Sequence, residues 1–366
     1  MWLPFFLLGH ILSLFLNLIG LSVPLDGYSL FYQLPCFFGS ILYGYLGILL
    51  AYKMCRGFFN ARNSFFATIA LWFATPLIFY MEFEPSMSHA LSFFTATACI
   101  YVYHKSFKRR PLRRWALIGF LGGLTTLIRW QCATLIFFVL LIDFIYVSRK
   151  SIASRKPKIL LGNLRRWGIC GLAALATFIP QCIAWSQFLA NISEIPQVTR
   201  DIYKYLFPSI SQTLFHFYHG FFTWTPIAVP ALVGFWLLSR RKNSPTVWII
   251  WLFFLSQVYL IGASDWTSGW SFGQRRLIET FIILALGLGE LLYRARRNKP
   301  LYNLSLGIGA FFVWFNSVFI FQWIFGYIPG GGFITSFNEL IWDKFWVFPH
   351  MLQRALVPIT GLFNIW

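Results

Sequence analysis

The sequence is short of acid. Eleven Asp and Glu stand against thirty Lys and Arg in 366 residues, and charged residues of both signs make up only 11% of the chain. A soluble domain carries about 25%. The six cysteines (Cys36, Cys55, Cys99, Cys132, Cys170, Cys182) form no CxxC and no Cys/His ligand spacing, which removes zinc ribbons and thioredoxin-like chemistry and leaves them as small apolar core residues. There is no Walker sequence, GxSxG or HExxH, so P-loop, serine-hydrolase and zincin chemistry have no anchor. No cleavable leader is visible, because residues 1–22 are apolar from the first position and lack a basic n-region. No internal repeat is evident.

What is abundant is apolar and aromatic: 58% hydrophobic and 21% Phe, Trp or Tyr. Apolar stretches of membrane length run near 2–22, 31–54, 64–81, 86–104, 115–129, 132–148, 167–187, 223–239, 245–263, 273–293 and 302–327. Arg129-Trp130-Gln131 breaks the pair 115–129 and 132–148, which predicts a tight hairpin or a kinked element. The pattern predicts an all-α integral membrane protein, a polytopic bundle of about 10–11 spans over residues 1–327. An outer-side tail, 328–366, follows. In it Asn338 to Pro349 mixes Trp and Phe with charge and reads as an interfacial helix. Prolines 35, 76, 180, 226 and 230 in or near spans point to a bundle with an internal cavity.

Twenty-three of the thirty basic residues fall in five clusters: Lys53/Arg56/Arg62, Lys105 to Arg114, Arg149 to Arg166, Arg240/Arg241/Lys242 and Arg294 to Lys299. Each lies one or two turnarounds from the next, as cytoplasmic loops of a cell (inner) membrane protein do. A net charge of +19 confined to short loops argues against nucleic acid and for anionic lipid headgroups as counterions. The remaining seven basic residues and eight of the eleven acids fall on the opposite side, so polar chemistry concentrates on that outer face.

Four outer segments carry candidates. Glu82, Glu84 and His89 sit at a helix–loop–helix junction, where carboxylates next to hydrocarbon are costly unless they bind, hydrogen-bond or face water. They read as a substrate or metal site, or as an acidic start to the next span with Pro85 at its first position. Arg129 and Gln131 lie at the hairpin tip, suited to a bidentate phosphate contact or to an interfacial anchor beside Trp130. The loop 188–222 and the span start after it hold His216, His219 and Trp224. Asp265-Trp266-Thr-Ser-Gly-Trp270-Ser-Phe-Gly-Gln-Arg275-Arg276 opens a span with two arginines on the side where the positive-inside trend does not expect them. Aromatics suit a sugar ring and paired arginines a phosphate; a salt-bridged cap to Glu279 or Asp265 is the alternative. Glu279, one turn inside, is expected to pair with Arg275 or Arg276. Asp143 and Glu290, beside basic residues at inner helix ends, need only salt bridges.

The segments Glu82-Phe-Glu84-Pro-Ser-Met-Ser-His89, Leu127-Ile-Arg129-Trp-Gln131, His219-Gly-Phe-Phe-Thr-Trp-Thr-Pro226 and Trp270-Ser-Phe-Gly-Gln-Arg-Arg276 occur in that order. Together they resemble bacterial multi-pass glycosyltransferases of the GT-C class, related to the protein mannosyltransferase and aminoarabinose transferase group. The resemblance implies an outer-face active site and a polyprenyl-phosphate sugar as donor, with a divalent metal (Mg or Mn) as candidate cofactor. It implies that Glu82, Glu84 and His89 line the pocket. Arg129, Arg275 and Arg276 would contact the donor phosphate, and Trp224 and Trp270 would shape the sugar site, with Gln131, His219 and Asp265 among the substrate-binding residues. The family's catalytic acid lies in a first outer loop after an initial span. This chain opens on a segment resembling the family's second span, and Asp26 does not match that loop. The expectation is a truncated or mis-started chain. A catalytically inactive relic or accessory subunit, and a lipid or solute transporter, are the alternative readings; a transporter places its polar site at the midplane, often between repeated halves.

Overall fold

The computed structural model describes residues 1–107, 110–156, 158–188, 202–264, 271–328 and 345. Among these residues the chain is helical and contains no strand. The helices are α1 (Leu3–Leu18), α2 (Leu30–Cys55), α3 (Ala61–Phe73), α4 (His89–Ser106), α5 (Leu112–Ile128), α6 (Ala133–Ala153), α7 (Lys158–Ala176) and α8 (Ile179–Phe188). The short α9 (Ile202–Leu206), α10 (Ile210–Phe215) and α11 (Phe221–Trp224) lead to α12 (Ala228–Arg241), α13 (Pro245–Gly262), α14 (Ile282–Ala295) and α15 (Lys299–Ile324). Each of the eleven apolar stretches contains helix, but 64–81, 167–187 and 223–239 are interrupted, at 74–76, 177–178 and 225–227, and 273–293 becomes α-helical only at Ile282. Five helices (Leu30–Cys55, Trp130–Ala153, Lys158–Ala184, Pro245–Gly262 and Lys299–Ile324) are long and apolar enough to cross a membrane on their own length and composition. Of the interfacial tail only Ile328 and Phe345 are described; the Phe345 ring lies 5.3 Å from that of Trp314.

Local chemistry sets the helix starts. The Asn60 side chain accepts from the Asn63 amide at 2.8 Å, and the Asn298 side chain accepts from that of Leu301 at 3.1 Å. Pro245 and Pro300 stand where a missing N–H costs nothing. Asp26 accepts from the Tyr28 and Ser29 amides, tying down the turn before α2.

The break at Arg129 makes a hairpin. Arg129 adopts an extended conformation (φ −145°, ψ 106°), followed by a single 3-10 turn, Trp130–Cys132. Arg110, just before α5, reaches Asp143 on α6, so the two helices run antiparallel. Asp143 is fully buried and also accepts from Tyr103 (3.1 Å) and the Trp167 indole (2.8 Å). Glu290, equally buried, is held by Arg241 (Nε to Oε2 3.0 Å) and Arg294 (2.9 Å). Both are satisfied salt bridges at the end of the bundle that carries the basic clusters, hereafter the basic end.

Helix packing is closest between α12 and α14. A Cβ on Gly287 would sit 1.8 Å from the Ala231 carbonyl oxygen, so only glycine lets these backbones touch. Elsewhere α4 packs between α2 and α5, α5 packs on α7, and α6 on α13. The outward faces are apolar: Leu18, Leu172, Leu175 and Leu304 are all more than half exposed, which suits a hydrocarbon solvent.

Candidate functional site

The helices that begin or end at the far rim carry the sequence candidates. α4 starts there at His89 and ends at the basic end with Lys105. α5 runs the other way, from the basic end to Arg129. The chain before α14 re-enters the bundle there, through a 3-10 turn at Arg275–Thr280.

Between α3 and α4 the chain forms a π turn, Phe79–Phe83, closed by the Glu84 amide donating to the Phe79 carbonyl at 2.9 Å. The wide turn leaves Glu82 exposed and Glu84 partly covered. The Tyr80 hydroxyl points inward and donates to the Phe272 carbonyl at 2.9 Å. Beside it, Gly273 adopts a left-handed conformation (φ 62°), and a Cβ there would lie 2.8 Å from Pro76. Phe272 stacks on Phe79 with centroids 4.5 Å apart. Two chain segments 192 residues apart are thus stapled together, and Arg275 and Arg276 emerge near Glu84 and His89.

Arg129 turns into this assembly while its neighbour Trp130 stays 53% exposed. At the hairpin tip Trp130 faces outward and Arg129 inward. Arg129 Nη1 donates to His89 Nδ1 at 2.8 Å. A guanidinium has no acceptor, so the ring offers Nδ1 as acceptor and carries its proton on Nε2. Arg129 Nε lies 3.3 Å from Glu279 Oε1. That oxygen also accepts from Gln131 Nε2 (3.2 Å) and lies 3.5 Å from Cys132 Sγ.

Glu279 therefore pairs with Arg129, not with Arg275 or Arg276 as the local spacing suggests. The reason is geometric. Glu279 lies on a 3-10 turn that aims it into the bundle, where it is fully buried, while Arg276 Nη1 donates outward to Ser264 at 3.2 Å. Gln257, a buried amide in the apolar run of α13, donates to the Gln131 carbonyl (3.1 Å) and to Thr134 (2.8 Å), fixing the hairpin tip. A lone glutamine inside an apolar stretch was the available sequence signal for it.

Arg275 and Arg276 are within electrostatic range of the His89 ring, and Arg275 is within range of Tyr80, Glu84 and Tyr218 as well. Burial raises the Glu84 carboxyl above its ordinary value, and Arg275 pulls in the opposite direction. Burial likewise raises the Tyr218 phenol, again opposed by Arg275. Gln274 donates to the His219 carbonyl at 2.9 Å, so His219 enters the assembly through its backbone, with its side chain buried.

Trp224 lies below the rim. It is 1% exposed, stacks on Phe319 at 4.8 Å and donates its indole N–H to the Phe217 carbonyl at 2.8 Å. It supports the site from beneath, where the sequence reading had it shaping a sugar pocket. Asp265 and Trp270 lie outside the described residues. Glu84, His89, Arg129, Gln131, Arg275 and Arg276 are thus brought together, Glu82 stands at the edge, and His219 and Trp224 back them.

The described residues contain no cluster of three or more His, Cys, Asp or Glu able to hold a metal ion. The donor set agrees: His89 Nδ1 faces a guanidinium, and the charge around it is cationic. Among the described residues this donor set suits an anion better than a divalent cation.

Residues 18–185 match the family model of dolichyl-phosphate-mannose-protein mannosyltransferases. The match spans somewhat under half of the chain. It includes Glu82, Glu84, His89, Arg129 and Gln131; His219, Trp224, Arg275 and Arg276 lie beyond it. No curated protein matches the chain. The family match supports a membrane glycosyltransferase class, one whose donors are lipid-phosphate sugars.

Proposed function

We propose that this protein is a GT-C-type glycosyltransferase. It transfers a sugar from a polyprenyl-phosphate donor to an acceptor on the face of the cell membrane opposite its basic, cytoplasmic loops. The observation that carries the reading is the gathering of Arg129, Arg275 and Arg276 around Glu84 and His89 at one rim of an apolar bundle. In the reaction an acceptor oxygen forms a bond to the anomeric carbon while the bond from that carbon to the phosphate oxygen breaks. The phosphate leaves with the electron pair, and fixed cations in a poorly hydrated site stabilise the charge it gains. Arg275 and Arg276 take the phosphate. Arg129, held by Glu279, orients the His89 ring at the pocket wall. Glu84, whose proton affinity is raised by burial, accepts the acceptor's proton, with Glu82 at the open edge as the second carboxylate. Asp265 and Trp270, outside the described residues, stay candidates for substrate binding on the sequence alone.

A transporter reading is less well supported, because the polar groups lie at a rim and not at mid-depth. Transfer from radiolabelled polyprenyl-phosphate sugars by the purified chain is the direct test, alongside Arg276→Ala and Glu84→Ala. Loss of transfer in both variants with unchanged membrane insertion supports the site. No transfer by the intact chain favours the relic or accessory-subunit reading.

A further inference from the structure

On the flank of the bundle, from near the basic end to the start of α12, lies an opening that the proposed reaction does not use. An apolar groove of about 490 Å³ lies between α3, α12, α14 and α15. Phe66 and Ala70 form one wall, Pro230 and Leu288 the floor, and Gly309 and Val313 the other wall. Among the described lining residues the one side-chain hydroxyl, Ser305, donates to the Leu301 carbonyl of its own helix at 2.8 Å, so the lining is almost wholly apolar. Along α15 it runs from Ser305 to Val313, about 12 Å at the helical rise. That is close to one leaflet, half of a hydrocarbon core of about 30 Å.

The mouth of the groove is cationic. Arg62 is exposed, with its guanidinium 5.9 Å from the ring centre of Phe66, a groove wall, and 5.3 Å from that of Tyr302, one turn before Ser305. The Tyr302 hydroxyl donates to Asn63 at 2.9 Å, which ties α15 to α3 just below that point. No carboxylate among the described residues pairs with Arg62. Arg296, Arg297 and Lys299, all exposed, lie in the adjoining turn between α14 and α15.

We infer that this groove holds an anionic glycerophospholipid of the leaflet at the basic end. One acyl chain lies between α3 and α15, and the phosphate rests on Arg62. The charge argues for an anionic headgroup over a zwitterionic one. A polyprenyl donor tail is the competing occupant, since the lining reaches Ile227 and Pro230 at the start of α12; the cationic mouth at Arg62 favours the phospholipid.

Gly309 supplies a clean perturbation. Nothing lies within 4 Å of a Cβ built there, so Gly309→Leu fills the groove without touching the backbone and improves helix propensity. The experiment is native mass spectrometry of delipidated protein titrated separately with phosphatidylglycerol, phosphatidylcholine and undecaprenyl phosphate. The expected result is saturable phosphatidylglycerol binding that is lost in Gly309→Leu and about fivefold weaker in Arg62→Gln, with phosphatidylcholine weaker on wild type. Phosphatidylglycerol binding untouched by both substitutions overturns the inference. So does undecaprenyl phosphate outcompeting phosphatidylglycerol in a Gly309-dependent way. A normal melting temperature for Gly309→Leu establishes that its loss of binding is not a loss of fold.

Discussion

The Arg129–Glu279 pair allows a quantitative test of how the rim is built. Glu279 is fully buried and Arg129 retains 13% side-chain exposure. Removing the arginine in Arg129→Met leaves a buried carboxylate with only Gln131 and Cys132 as neutral donors. Breaking a buried pair in this way costs about 3–5 kcal/mol. The 3.3 Å separation and the partial exposure of Arg129 place this case at the lower end, about 3 kcal/mol. Glu279→Gln should cost about 2 kcal/mol, because the stranded guanidinium still reaches His89 and the rim. In the double variant Arg129→Met/Glu279→Gln neither charge is buried alone, and the expected loss is about 2 kcal/mol, well short of about 5 kcal/mol for independent effects. Unfolding in mixed detergent micelles, followed by tryptophan fluorescence, measures all three. Additive losses, or an Arg129→Met variant within about 0.5 kcal/mol of wild type, refute the assignment of Glu279 as the group that holds Arg129.

Glu84 binds its proton more tightly folded than unfolded. Its contribution to stability is therefore fully present below the ordinary carboxyl range and is lost as pH rises through the raised folded value. Glu84→Gln should match wild type in acid and become relatively more stable above that window. Arg275→Gln, which removes the opposing charge, should move the carboxyl titration seen by infrared difference spectroscopy further upward. A downward move contradicts the pairing. Gly287→Leu should fail to fold or lose about 3 kcal/mol, since the clash is with backbone, whereas Gly309→Ala should gain a few tenths to about 1 kcal/mol; folded yield on size-exclusion chromatography separates them. Single cysteines at the exposed positions Glu82 and Arg297 should react with an impermeant maleimide from opposite sides of intact vesicles. Labelling of both from one side ends the sided arrangement on which the reaction rests.

The helical stretches were legible because membrane-length apolar runs and basic loops are local signals. The candidate rim was legible as well: Glu84, His89, Arg129, Arg275 and Arg276 stand out as charge and imidazole where the surrounding sequence is apolar. The wiring between them was not. Local spacing favours Glu279 with Arg275 or Arg276, and only the tertiary path of the hairpin tip brings Arg129, 150 residues earlier, to the same carboxylate. Trp224 gives the same lesson in reverse. The family resemblance implies that it shapes a sugar site, yet the ring is buried and Phe319, nearly a hundred residues later, stacks on it. Residue type marks which groups stand out as candidates, whereas partner choice is a long-range property that periodicity does not encode.

The π turn at Phe79–Phe83 works as a molecular shim. Its hydrogen bond closes over five residues where an ordinary helix closes over four, so one surplus residue sets the angle at which the following carboxylate leaves the bundle. Excising any one of the five would let the segment tighten into regular helix and swing Glu84 about 100° around the axis, away from Arg275, without altering the chemical identity of any group at the rim. Spacing here is as much a part of the proposed machinery as the side chains.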